Sequence, residues 1–126
     1  MKREIKFRAI SHYSNQFEYG DLNLNPVHYD CQILINGVVA HSVKRETIGQ
    51  FTGLKGENDI ELYEGDIVGI ASPVGVITYD HCGFVFDWID KHYINNRKPL
   101  EPLFRNINLF KVFGNIHENN ELLATI

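Results

Sequence analysis

The chain predicts a mostly-β protein, an N-terminal strand and hairpin region followed by a small β-barrel, and three observations carry that reading. Asn36-Gly37 separates two β-branched runs, "CQILI" and "VVAHSV". After residue 48 come five more short apolar runs, "IGQFTG", "DIVGI", "GVITYD", "FVFDW" and "LFKVFGNI", at the spacing of short strands. Between several of them stand Gly65-Asp66, Ser72-Pro73 and Asp80-His81-Cys82-Gly83, the residue types that turns require. We place the strand and hairpin region at residues 1–46 and the barrel at 47–126, the two expected to pack as one unit.

The opening "EIKFRAI" alternates Ile5, Phe7 and Ala9 with Lys6 and Arg8, a period of two that puts the apolar set on one side of a strand. "GDLNLNPVHYD" at 20–30 mixes Gly, Pro, Asp and Asn without clean periodicity, and predicts a long loop that holds at most a short turn or strand. Asn36-Gly37 then supplies the two positive-φ positions of a type I′ hairpin turn. In the last strand, alternation predicts Phe110, Val112, Gly114 and Ile116 inward, with Leu109, Lys111, Phe113 and Asn115 outward. Residues 88–106 hold two prolines and are too long for a tight hairpin, so an excursion is expected, partly helical before Pro99. The core expected from these strands is Phe7, Ile33, Phe51, Ile67, Ile77, Phe86, Phe110, Val112 and Ile116.

Length and composition narrow the function classes. At 126 residues, 44% hydrophobic and 22% charged, the chain can bury one proper core without staples. A net charge of −4 argues against a protein built mainly for non-specific phosphate binding, which needs a positive surface. Cys31 and Cys82 lie far apart with no CxxC spacing, which suits free thiols in a reducing, cytoplasmic setting. No signal-peptide run follows the charged start and no stretch reaches eighteen apolar residues, so neither secretion nor a membrane span is expected.

The segment "FTGLKGENDIELYEGDIVGI", residues 51–70, gathers Glu57, Asp59, Glu61, Glu64 and Asp66. Paired carboxylates do acid–base work where burial or like charge separates their pKa values, but these stand among Gly, Asn and Lys, where a solvated loop holds them at little cost. They also lack the ordered ligand series of a calcium loop. Within the same segment Gly53, Gly56 and Gly65 are explained by backbone conformation, and Leu54, Ile60, Leu62 and Tyr63 by packing. His28, Cys31, His81 and Cys82 would make a two-His, two-Cys zinc set only if two turns met in space, and the spacing of none of them is that of a zinc knuckle. A Cys82 nucleophile served by His81 or His92 and by Asp80 or Asp90 would need sequence neighbours on a turn to converge, which they seldom do. No phosphate-loop, dinucleotide, GxSxG or HExxH string is present, so no metal, cofactor or catalytic residue is assigned.

Two binding readings remain. Lys91, His92, Tyr93, Arg97, Lys98 and Arg105 interleave charge with aromatic groups near Trp88 and Phe104, as a single-stranded nucleic-acid groove does, and Lys2, Arg3, Lys6 and Arg8 form a second basic set on the first strand. The competing explanation is that Trp88 and Phe104 cap the core while the cations are solvated. Alternatively, the 31–43 hairpin offers unpaired strand edges to a protein partner or a second copy, or packs onto its own barrel.

Three blocks in order, "IKFRAI", "FTGLKGENDIELYEGDIVGI" and "FGNIHENNELL", together resemble the signature of the YopX family of small phage and prophage proteins across nearly the whole chain. Ile10 stands where the family commonly has Trp, and Asn120 where it commonly has Pro. The resemblance implies a C-terminal part similar to SH3-type barrels and a phage or prophage setting, and it assigns no reaction. Its blocks hold Gly53, Leu54, Tyr63, Gly65, Asp66, Gly114 and Asn115, which are expected to be structural. The function expected is therefore a non-enzymatic accessory module in the host cytoplasm that binds a host or phage protein or itself. Single-stranded nucleic-acid binding is the alternative, and metal-dependent hydrolysis the third.

Overall fold

A computed structural model describes residues 4–25, 30–80, 82–88, 98–99 and 107–121. Among the described residues eleven strands form two antiparallel sheets, and neither sheet closes into a barrel. The chain divides into two compact units, Met1–Phe51 and Thr52–Ile126. Among the described residues no helix is long and apolar enough to cross a membrane.

In the first unit the order is β4-β3-β2-β1-β5, with β1 Phe7–Ile10, β2 Phe17–Asn25, β3 Asp30–Ile35, β4 Val39–Ser42 and β5 Gly49–Lys55, the last running on into the second unit. Of the segment expected as a loop at 20–30, the described residues, 20–25 and 30, are strand. Asp21, Asn23 and Asn25 alternate with Leu22 and Leu24, so a period of two lies beneath residue types that usually mark turns. Leu22 packs against the core, whereas Asp21 and Asn23 face solvent, where their polarity costs nothing. β2 pairs with β1 through Phe17–Gly20 and with β3 through Asp21–Asn25. Gly20 sits at that change of partner, where a Cβ would stand 2.2 Å from the Leu34 carbonyl oxygen.

The Asn36-Gly37 turn forms with φ of 54° and 71° and the Val38 N–H donating to the Ile35 carbonyl, but the ladder closes at Ile35–Val39, so the connection holds three residues, Val38 being added to the two expected. The hairpin it closes is tied down at its far end: Ser11 bridges Val43, and the His12 and Lys44 amides donate to the Ser42 and Ile10 carbonyls. Thr47 completes that corner from a short 3-10 turn, its hydroxyl accepting the Ile10 N–H at 2.8 Å and donating to the Lys44 carbonyl at 2.7 Å. Ala9, Cys31, Ile33 and Val43 form this unit's core, with Phe7, Leu22 and Ile48 packed on it.

Strand β1 departs from simple alternation. Ile5 is exposed, whereas Arg8 and Ile10 on the face expected to be polar are buried at 6% and 7%. The Arg8 guanidinium lies 4.4 Å from the Phe17 ring centroid, so an aromatic face helps accommodate the cation. Lys6, on the same face, lies 5.1 Å from the Phe51 ring centroid and pairs with Glu4 at 3.0 Å.

The second unit is built on a sheet of order β10-β9-β8-β7-β11: β7 Asp66–Gly69, β8 Gly75–Asp80, β9 Gly83–Trp88, β10 Lys98–Pro99 and β11 Lys111–Asn115. β6, Glu61–Tyr63, lies beside the C-terminal half of β5, where the Thr52 hydroxyl donates to the Leu62 carbonyl at 2.8 Å. Leu62, Val68, Ile77, Phe86, Ile107 and Phe110 form its core, with Leu54, Val74 and Val112 packed against them. Of the core residues expected, Ile33, Phe51, Ile67, Ile77, Phe86 and Phe110 are buried, while Phe7, Val112 and Ile116 are half-buried.

The expected parity of the last strand fails after Val112. Val112 pairs with Val68 and Gly114 with Ile67, so Phe113 is an extra residue in a β-bulge. One inserted residue flips every side chain beyond it, which turns Asn115 inward to 7% exposure although alternation from Phe110 placed it outward. The expected excursion is described only at Lys98–Pro99, which pairs with Val85 and Phe86 as an edge strand, and the helix expected before Pro99 falls outside the described residues.

Candidate functional site

The central and C-terminal sequence blocks meet in the second unit. Leaving β5 through Gly53, φ 86°, and half-buried Leu54, the chain turns at Gly56, whose N–H donates to the Ile60 carbonyl while that of Glu57 donates to the Phe110 carbonyl. Asn58 and Asp59 both adopt left-handed backbone, at 59° and 58°. β6 then ends at Tyr63, 2% exposed, and Glu64-Gly65 turns the chain into β7 with Gly65 at φ 94°. That value is accessible to glycine and strained for other residues.

Asp66 is a member of the acidic cluster that is not solvated. It is 1% exposed, and its Oδ2 accepts the Tyr63 N–H at 2.8 Å, closing the β6–β7 turn. A buried carboxylate is stable only where donors replace water, and the adjacent turn supplies one. The other acids do fit a loop and its margins: Asp59 is exposed, Glu57 stands 4.0 Å from the Lys111 ammonium with both side chains well exposed, and Glu61 accepts the Tyr63 hydroxyl at 3.3 Å. Glu64 is half-buried and has a partner of its own.

Asn115 pairs with Asp66 across the β7–β11 ladder, so both side chains lie on one face of the sheet. Its Oδ1 accepts the His117 and Glu118 amides at 3.0 and 2.9 Å, and its Nδ2 donates to Glu118 Oε1 at 2.9 Å. Asn119 reaches back, its Oδ1 accepting the Asn115 N–H at 3.2 Å from the space that a Cβ on Gly114 would occupy. The Ile116 amide donates to the Gly65 carbonyl, which fastens one block to the other. Tyr63, Gly65, Asp66, Gly114 and Asn115 thus form one structural knot of turn-closing hydrogen bonds. Among the described residues, no three or more His, Cys, Asp and Glu side chains are arranged to hold a metal ion.

The basic binding set is largely out of view. Lys91, His92, Tyr93, Arg97, Phe104 and Arg105 lie outside the described residues, as do His28, His81, Asp90, Lys2 and Arg3. Of that set the backbone alone is placed for Trp88, which ends β9 opposite Gly75, and for Lys98, opposite Phe86. Cys31 is buried in the first unit's core, and Cys82 is exposed at the β8–β9 turn with φ 67°. Arg8, by its burial, does not belong to an open basic face.

One surface feature escaped the sequence reading. Ile77 and Phe86 pair across β8 and β9 in the core, and the next pair on the same face, Tyr79 and Phe84, continues toward the turn. Tyr79 is 54% exposed, and the two rings meet edge-to-face at 5.2 Å between centroids. Alternation through Ile77, Tyr79, Phe84 and Phe86 was the available signal; the depth of the core, which decides where that face emerges, was not. The polar residues Thr78 and Asp87 lie on the opposite face, joined at 3.2 Å.

No curated protein matches this chain. The family model of the YopX protein matches residues 6–124, which contain the first strand, both central turns and the Asp66–Asn115 knot, and the chain therefore belongs to the YopX family.

Proposed function

We propose that the chain is a non-enzymatic accessory module of a phage or prophage, working in the host cytoplasm by binding a protein rather than by turning over a substrate. The observation that carries this reading is the Tyr79–Phe84 pair, an apolar face that runs out of the core on the β8–β9 hairpin. An exposed tyrosine backed by a half-buried phenylalanine is the kind of aromatic group that anchors protein interfaces. The net charge of −4 weighs against a phosphate-backbone ligand, which favours a protein partner over a nucleic acid. Strand addition is a weaker route than side-chain contact. Pro99 lies on the edge strand β10, a bulge interrupts β11, and the end of β4 is bonded to β1. The likeness of the second unit to SH3-type barrels belongs to the same reading, supported by its short antiparallel strands around one core.

The test is retention from nuclease-treated host lysate on immobilised wild-type chain and on a Tyr79→Ser/Phe84→Ser variant shown to fold. A protein retained by the first and lost from the second is the expected result. Retention that vanishes with nuclease or added salt and ignores the substitutions would instead select single-stranded nucleic-acid binding through Lys91, Tyr93, Arg97, Lys98 and Arg105.

A further inference from the structure

We infer that the β3–β4 turn is a site of spontaneous covalent modification, in which Asn36 converts to aspartate and isoaspartate. Asn36 and Gly37 are both exposed, and nothing stands within 4 Å of the place where a side chain on Gly37 would begin. Lacking a Cβ, Gly37 puts no side chain of its own in the way of its nitrogen's approach to the Asn36 side-chain carbonyl. It attacks Cγ, the new C–N bond closes a cyclic imide, and the amide nitrogen leaves as ammonia carrying the proton from Gly37. Water then adds to either imide carbonyl and breaks one C–N bond, giving aspartate or its backbone isomer. No enzyme, oxidant or cofactor is consumed.

This is the one Asn-Gly pair in the chain. Elsewhere the following residue carries a side chain, and Asn115 is additionally held by part-buried hydrogen bonds on both ends of its amide. The turn's left-handed conformation opposes the attack, because the Asn36 backbone must rotate for the nitrogen to reach Cγ. A single turn hydrogen bond, Val38 N–H to Ile35 carbonyl at 3.2 Å, and a glycine free to adopt either sign of φ set a low local barrier to that rotation. The two products differ in consequence. Aspartate tolerates the left-handed position and retains the turn, with one more negative charge on a chain already at −4, whereas isoaspartate adds a backbone atom and disturbs the Ile35–Val38 turn closure.

The experiment is incubation of the intact chain in mildly alkaline buffer, folded and in urea, followed by peptide mapping with isoaspartate-specific labelling. Conversion at position 36 in the folded chain about tenfold faster than at any other asparagine is the expected outcome. An amide that survives in the folded chain over a period in which the urea-unfolded chain converts would show that the turn protects it, and would overturn the inference.

Discussion

Asp66 and Asn115 stand opposite each other across the β7–β11 ladder, both buried, and each fastens a turn beside its own strand: Asp66 the one at Tyr63, Asn115 the one at His117 and Glu118. Two sequence blocks some fifty residues apart are thereby a single structural device. Their polar residues close turns in the scaffold, so Asp66 is held by the fold rather than lying in a solvated acidic loop.

Replacing Asp66 with Ala leaves the Tyr63 N–H without the carboxylate that accepts it, and the expected loss is about 1.5–3 kcal/mol, the range for a hydrogen bond to a charged group. Asp66→Asn, which retains an acceptor oxygen, should lose less. Urea titration decides; equal losses for the two variants would mean that the turn bond is not what Asp66 contributes.

Phe110 is 5% exposed and packs 5.5 Å from the Phe86 ring centroid in the second unit's core. Its truncation to Ala should cost about 3–5 kcal/mol. A measured loss below roughly 1 kcal/mol would show that the side chain does not fill that core.

Gly65 and Gly83 make a paired test of backbone conformation. At φ 94° Gly65 is strained by any side chain, so Gly65→Ala should destabilise by about 1–3 kcal/mol. Gly83 has no positive φ and open space at its Cβ, so Gly83→Ala should stay within about 0.5 kcal/mol of wild type. Similar melting shifts in both variants would refute the assignment of strain to the β6–β7 turn.

Thr47→Val removes a hydroxyl that serves two backbone groups at once and leaves the buried Ile10 N–H without that acceptor. A loss of about 1–3 kcal/mol is expected, together with faster hydrogen exchange at Ile10. Unchanged exchange at that amide would mean that the corner between β1 and β4 holds without the threonine.

The sequence by itself determined the β-class, the hairpin at Asn36-Gly37 and most of the buried side chains, because φ preference and two-residue alternation are local properties. It also determined family membership, since three ordered blocks are a property of the string. Tertiary structure decided what alternation cannot express. The bulge at Phe113 reverses parity and buries Asn115; Phe17 stacks on Arg8 and lets a cation lie in the interior; Tyr63 offers its N–H to Asp66 and removes that acid from the solvated cluster. It decided the candidate interface as well. Tyr79 and Phe84 have the same alternation as Ile77 and Phe86, and only the place where the core ends separates exposed Tyr79 and half-buried Phe84 from the buried pair. Burial of a polar group depends on which partner the fold delivers to it, and that partner is set by contacts between strands far apart in sequence.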